Sequence, residues 1–464
     1  MTARQLKAAL APSILRAYDI RGVVDEDFSE DDLYVIGKAF AAEMLSRGLT
    51  LACAGYDGRL SSPMLEQALV DGLVSSGIHV LRSGRGPSPM LYYATYALGA
   101  DAGLMITGSH NPPEFNGLKM TLGGQAFFDE DIQRLGRRVT AGDYVDGDGS
   151  AEHVDVFEDY VARIASDYRG EKELRVAWDP GNGAAGAVTD ALTARLPGTH
   201  FVINSEIDGT FPAHHPDPTV EKNLVQLKAL VAENNCDLGI GFDGDGDRIG
   251  VVDAHGNVMW GDQLLVMLAG DVLADHPGAP ILCDVKASRV FFDEIRKLGG
   301  EPVMWKAGHS HIKSKMAELN SPLAGEMSAH IFFKHRYYGY DDAIYTAVRL
   351  LSVVAASDKS FTEMLAALPA MHNTPEIRFD CDDARKFAVV DEITARARQL
   401  QGVEIFDMDG VRVETPYGWW LLRASNTQPM LVVRCESESE QGLERLRDDV
   451  RAQLAQSGID ASVI

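Results

Sequence analysis

Three aspartates, Asp243, Asp245 and Asp247, alternate with Gly244 and Gly246 between two apolar runs in DLGIGFDGDGDRIGVVD. Carboxylates this close repel one another unless a cation joins them, and the glycines let the backbone bend until they converge. Oxygen ligands with no sulfur or imidazole beside them suit Mg²⁺ better than zinc. A calcium loop starting at Asp243 would need glutamate at its twelfth position, and that residue is Ala254. The spacing predicts a three-aspartate magnesium site, with Arg248 behind it hinting at an anionic ligand. Its alternative is a solvated acidic turn.

In LMITGSHNPPEFNGLKM an apolar strand, Leu104 to Ile106, runs into Thr107, Gly108, Ser109, His110, Asn111 and two prolines. Ser109 is a reachable hydroxyl at a strand end, His110 is placed to move a proton, and Lys119 brings positive charge. The same residues also suit a turn held by side-chain hydrogen bonds. RASNTQP sets Arg423 beside Ser425, Asn426 and Thr427 between two strands. A guanidinium with hydroxyl and amide neighbours matches phosphate, and equally a polar hairpin tip. In GEMSAH, Glu326, Ser328 and His330 alternate, as if projecting from one face of an extended segment toward the vicinal hydroxyls of a sugar. Lys286 follows the strand ILCDV and His309 follows PVMW, at the strand ends where ligands gather in open α/β sheets.

The elements that must position these residues follow a repeated grammar. Ser29 followed by Glu30, Asp31 and Asp32 predicts a helix start, with Leu33, Ile36, Phe40 and Met44 on its apolar face. Strand, helix, strand then recurs from Leu51, from Arg175 and from Ile281, which implies three related α/β units with parallel pairing. The last ninety or so residues alternate like hairpins, with turns at Asp409-Gly410 and Tyr417-Gly418 and a helix from near Ser439. The expected fold is three similar mixed-sheet α/β domains plus a C-terminal α+β domain around a central cleft. Expected boundaries are 1–153, 154–256, 257–370 and 371–464.

The 464 residues allow several cores. A balance of 43 Lys+Arg against 68 Asp+Glu, net −25, excludes a general nucleic-acid binder. Five scattered cysteines argue against a disulfide framework and fit a reducing cytoplasm. The absence of an apolar run near 18 residues predicts no membrane span and no secretory leader.

Taken in order, AYDIRG, TGSHNPPEFNGLKM, DGDGDR, GHSHIK, GEMSAH and RASNTQP resemble the α-D-phosphohexomutase family, in its bacterial phosphomannomutase/phosphoglucomutase branch. The resemblance covers nearly the whole chain. It implies a four-domain enzyme with a phosphoserine at Ser109 and one Mg²⁺ held by Asp243, Asp245, Asp247 and the phosphorylated Ser109. It implies that Glu326 and Ser328 grip the hexose 3- and 4-hydroxyls, while Arg423, Ser425, Asn426, Thr427 and Tyr18 bind the non-reacting phosphate. Arg21, His110, Lys119, Arg248, Lys286, His309 and His330 take the remaining family positions, as charge stabilisers or acid/base groups. Met327 stands where the family sorts substrates and resembles enzymes acting on mannose and glucose phosphates.

The activity so implied is reversible interconversion of hexose 6-phosphate and hexose 1-phosphate through a 1,6-bisphosphate, which also serves as activator. The expected partners are small hexose phosphates only, with the chain a cytoplasmic monomer. Rival readings are a phosphoglucosamine mutase and a magnesium-dependent sugar phosphatase. Two residues depart from the branch: Ala329, where glycine is usual, and His335, where an acid is expected after Lys334.

Overall fold

The computed structural model describes residues 7–425, 429–461 and 463–464. Four sheets follow one another along the chain. In the first, the strands Leu51–Tyr56, His79–Arg85 and Ala102–Ile106 are parallel, and Phe115–Leu122 runs antiparallel beside the third. Arg175–Asp179, Thr199–Val202, Leu238–Phe242 and Ile249–Asp253 repeat this in the second sheet. Pro280–Asp284, Glu301–Trp305, Leu323–Gly325 and Ile331–Phe333 repeat it again in the third. The spatial order is always second, first, third, fourth. The three units therefore share a topology as well as a sequence grammar.

Edge strands individualise the units. Ile20–Val23 and Ser150–His153 flank the first sheet. Val258–Met259 lies just past the boundary expected at residue 256 and pairs back onto Val251–Val252, because the Asp253 turn reverses the chain. The fourth sheet is wholly antiparallel, built on Val411–Thr415, Gly418–Ala424 and Met430–Ser437, with Ile377–Asp380 and His372–Asn373 paired to the last of these. Its closing helix, Glu440–Gln456, starts at Ser439, whose Oγ accepts the Gly442 N–H.

Strands such as Leu238–Phe242 are apolar along their length because both faces are covered, the expectation for central strands of α/β units. One continuous core runs through all three α/β units, from Tyr93 through Trp178 and Leu265 to Tyr345. The last unit has its own core around Val413, Trp420, Leu431 and Leu446. It meets the rest through a small apolar seam of Val285, Trp419 and Leu421. Buried Arg412 seals that seam, its guanidinium 3.7 Å from the Trp419 ring centre and its Nη1 donating to the Val285 and Ala287 carbonyls at 2.7 and 2.6 Å. Among the described residues no helix is long and apolar enough to cross a membrane, and the five cysteines are buried and unpaired.

Candidate active site

The shared topology places three key loops at one equivalent position. Residues 107–114, 243–248 and 326–330 each connect the third strand of a unit to the fourth. Each loop therefore leaves a buried parallel strand at its C-terminal end, turns, and re-enters antiparallel. Three copies of one loop converge on a common point.

Ser109 is buried at φ 50°, a left-handed conformation that costs a non-glycine residue about 1 kcal/mol or more. Its N–H donates to Thr107 Oγ1 at 2.8 Å. Its Oγ donates to Asp243 Oδ2 at 3.1 Å and lies 3.2 Å from His110 Nδ1. Gly244 makes this approach possible: a Cβ there would fall 2.4 Å from the Ser109 carbonyl oxygen. The strain is held by Arg59, a residue whose side chain is fully buried. Its Nη2 donates to the carbonyls of Ser109 and Asn111 at 2.8 and 2.6 Å, its Nη1 to Phe115 at 2.9 Å, and its Nε to Asp57 at 3.2 Å.

Ligand atoms of Asp243, Asp245 and Asp247 lie within 4.8 Å of one another, all three residues buried. Asp243 Oδ1 accepts the N–H groups of Asp247 and Arg248, each at 3.1 Å. The Oδ1 atoms of Asp245 and Asp247 are buried with no hydrogen-bond partner among the described residues. Burial and the charges of Asp247 and Asp245 push the Asp243 carboxyl well above the usual carboxylate range. Burial acts on Asp245 the same way, but Lys119 at 2.7 Å and Ser88 Oγ at 2.5 Å outweigh it and hold Asp245 low. Lys119 also bridges to Asp247. Two orphaned oxygens in a dry three-acid cradle fit a hard divalent cation.

Behind this cluster, Arg248 Nε donates to His330 Nε2 at 2.9 Å, and the acid loop and the 326–330 loop form a short β-bridge at these residues. His330 Nδ1 lies 3.2 Å from Asp341 Oδ2. The His309 ring stacks on His330 with centroids 5.6 Å apart. Burial, with Lys313 next, pushes His309 well below the usual imidazole range and so favours its neutral form. Burial, Arg248 and Arg21 do the same to His110. Asp341 is held well below the usual range because Lys313, 3.0 Å away, and the two imidazoles outweigh its burial. Arg21 Nη1 donates to Asn111 Oδ1 at 3.2 Å.

The segment Glu326–Ala329 is not extended, which corrects the face-sharing reading of Glu326, Ser328 and His330. The antiparallel return from Leu323–Gly325 to Ile331–Phe333 forces a turn, closed by Ala329 N–H to Glu326 O at 2.9 Å, and Ala329 takes φ 66°. Glu326 Oε1 accepts the Gly308 N–H at 2.6 Å, while Ser328 is half-buried in the turn. Met327 touches Arg434 of the last unit. Lys286 lies 3.4 Å from Glu376 and 3.8 Å from Asp284, and these acids keep it charged against its burial. Arg423 pairs with Asp409 at 3.0 Å, and Ser425 N–H donates to Met430 O. Asn426 and Thr427 lie outside the described residues. His335 sits away from this group: its Nδ1 faces Arg349 Nη2 at 3.0 Å and its Nε2 faces Asp275 at 2.9 Å. An imidazole there meets both partners, one on each ring nitrogen.

Ser109, His110, Lys119, the three aspartates, Arg248, His330 and His309 thus form one contiguous group, with Glu326, Tyr18, Lys286 and Arg423 beyond it. Sequence reasoning missed Arg59, Ser88, Asp341, Lys313 and Asp409. Arg59 carried a usable signal, since it lies in the loop after the parallel strand Leu51–Tyr56, and Ser88 a weaker one, as the first residue of the helix that follows the next strand. A cavity of about 570 Å³ lined by Arg16, Tyr18, Asp129, Lys306, His311 and Asp409 borders the Arg423 end and includes neither Ser109 nor the aspartates.

Four consecutive family descriptions match the chain: phosphoglucomutase/phosphomannomutase alpha/beta/alpha domains I, II and III over residues 12–146, 156–256 and 260–372, and the C-terminal domain over 376–453. A phosphomannomutase/phosphoglucomutase of Pseudomonas aeruginosa is 44% identical over 98% of this chain and 97% of its own. A phosphoglucomutase of Neisseria meningitidis is 41% identical over 96% and 97%. The crystal structure of a phosphoglucomutase/phosphomannomutase family protein from Burkholderia thailandensis superposes with a TM-score of 0.92 at 40% identity, covering 97% of this chain and 98% of that one.

Proposed function

Because the chain belongs to the phosphoglucomutase/phosphomannomutase family of α-D-phosphohexomutases, and is a phosphohexomutase, we propose that Ser109 carries the phosphoryl group it exchanges with mannose and glucose phosphates. The observation that carries this is the Ser109 Oγ, buried and 3.1 Å from Asp243, in a cluster whose other two acids keep orphaned oxygens. Phospho-Ser109 gives its phosphoryl group to the free hydroxyl of a hexose monophosphate. The Oγ–P bond breaks, a bond from phosphorus to the sugar oxygen forms, the hydroxyl proton passes to the imidazole pair His309 and His330, and the departing Oγ takes up a proton in exchange, which restores the Ser109 hydroxyl. The resulting 1,6-bisphosphate turns end for end, and Ser109 takes back the other phosphoryl group.

Asp243, Asp245 and Asp247, with phospho-Ser109, would hold one Mg²⁺. When bound it would draw charge from the phosphoryl oxygens, the main need of a loose phosphoryl-transfer transition state. Lys119, Arg248 and Arg21 supply further positive charge, and His110 beside Ser109 stays a neutral neighbour of the transferred group. Glu326 and Ser328 take sugar hydroxyls, with Met327 sorting the hexose. Arg423, Ser425, Asn426, Thr427, Tyr18 and Lys286 take the non-reacting phosphate. In this reading residues 1–153 carry the serine, 154–256 the metal, 257–370 the sugar turn and 371–464 the phosphate loop. A free 1,6-bisphosphate restores Ser109 phosphorylation when it is lost, and the enzyme acts as a cytoplasmic monomer, a setting its unpaired cysteines suit.

Phosphorus NMR tests the reading with Mg²⁺, a trace of glucose 1,6-bisphosphate, and mannose, glucose or glucosamine 1-phosphate in parallel. Buildup of mannose and glucose 6-phosphates is expected. Inorganic phosphate as the main product would replace the mutase with a phosphatase, and fastest turnover of the glucosamine compound would reassign the hexose.

A further inference from the structure

The Asp409 carboxylate is held from two units at once. Its Oδ1 accepts from Arg423 Nε at 3.3 Å and Nη2 at 3.1 Å. Its Oδ2 accepts from Arg423 Nη2 at 3.0 Å and from the Ala307 backbone N–H at 3.0 Å. The Ala307 carbonyl accepts the Tyr18 hydroxyl at 3.1 Å, and the next N–H, that of Gly308, donates to Glu326 Oε1 at 2.6 Å. Residues 307 and 308 thus join the N-terminal unit, the sugar turn and the last unit.

An arginine that binds phosphate must be oriented as well as charged. Asp409 takes the Nε–Nη2 edge and leaves Nη1 outside the clamp, so one face of the fork is fixed while the opposite amino group stays outside the pair. Gly410 locks the carboxylate to this strand: at φ 76°, a Cβ there would fall 2.3 Å from Leu422 O and 2.6 Å from Arg423 Cβ. The hairpin turn is therefore pressed onto the arginine it serves.

Resting on the reading that Arg423 binds the non-reacting phosphate, we infer that Asp409 is a positioning residue that orients Arg423 and latches the last unit to the Ala307–Gly308 backbone, which in turn holds Glu326. Capture of the phosphate and the grip on the sugar are coupled through that backbone.

The test uses the full-length chain as Asp409→Asn, Asp409→Ala, Arg423→Ala and the Asp409→Ala/Arg423→Ala pair, with glucose 1-phosphate as substrate. Asp409→Ala is expected to raise KM roughly tenfold with kcat changed by less than about threefold, and to speed amide exchange at Ala307, read by mass spectrometry on peptides spanning 303–308. Asp409→Asn keeps an oxygen for the Ala307 N–H but loses the charge, so it is expected to raise KM while leaving exchange slow. The double variant is expected to lose less than the sum of the two single losses, the excess over Arg423→Ala being the Ala307 contact that Arg423→Ala leaves in place. A KM within about twofold of the parent in both Asp409 variants, additive losses in the double variant, or unchanged exchange in Asp409→Ala would each overturn the latch. If Arg423→Ala itself leaves KM unchanged, the phosphate assignment fails first and takes the latch with it. Asp409→Asn, being isosteric, still decides the matter should the alanine variant not fold.

Discussion

Ser109 Oγ donates to Asp243 Oδ2 at 3.1 Å across 134 positions of sequence. The serine loop of the first unit and the acid loop of the second are thus parts of one site, each occupying the same place in its own sheet. Ser109→Ala removes the hydroxyl proposed to carry the phosphoryl group and nothing else of size. Mutase turnover is expected to fall by at least about a thousandfold while hexose phosphate binding by calorimetry stays within about threefold. Near-parent turnover would remove Ser109 from the mechanism.

Arg59 is expected to be as important to folding as Ser109 is to chemistry. Its guanidinium meets the carbonyls of Ser109, Asn111 and Phe115 and the buried Asp57. Arg59→Ala leaves that carboxylate uncompensated, so a loss of about 3–5 kcal/mol is expected in urea unfolding. Arg59→Lys restores charge but not the planar fork, and is expected to recover less than half of the loss.

Ala329 pays for its φ of 66°. Ala329→Gly is expected to stabilise the protein by about 0.5–1 kcal/mol, the left-handed penalty less the extra freedom of glycine in the unfolded chain. Thermal melts of the two proteins check this, and a destabilised glycine variant would show that the turn is not strained.

Glu376 gives a pH signature. Lys286 holds its carboxyl down to about 2 from an ordinary value near 4.5. Its folded value is depressed, so its contribution to stability is complete above pH 4.5 and fades as pH falls toward 2. Glu376→Gln is expected to flatten the acid side of the stability curve between pH 5 and pH 3, measured by urea midpoints. An unchanged acid limb would mean that the Lys286 pair contributes nothing.

Chelation is expected to abolish turnover and Mg²⁺ to restore it. Restored metal is also expected to raise the thermal midpoint, because it takes up the orphaned oxygens of Asp245 and Asp247. In Asp245→Asn and Asp247→Asn the midpoint shift on adding Mg²⁺ is expected to shrink by half or more, and a full shift would move the ion elsewhere.

By itself the sequence determined the chemistry on offer: three acids spaced by glycines, a serine at a strand end, an arginine among hydroxyls, and the α/β grammar that carries them. Those signals are local, because backbone preference and side-chain type are properties of a few neighbouring residues. Only the tertiary structure decided which groups meet. The 326–330 segment alternates like a strand, yet the antiparallel partner Ile331–Phe333 bends it into a turn. Arg59 and Asp409 look like ordinary loop charges until folding brings the carbonyls of the serine loop to one and Ala307 to the other. Their roles rest on hydrogen bonds and ion pairs between distant positions. Such terms exist only where packing has excluded water, so a place in a loop after a strand can mark Arg59 for attention but no pattern along the chain names its partners.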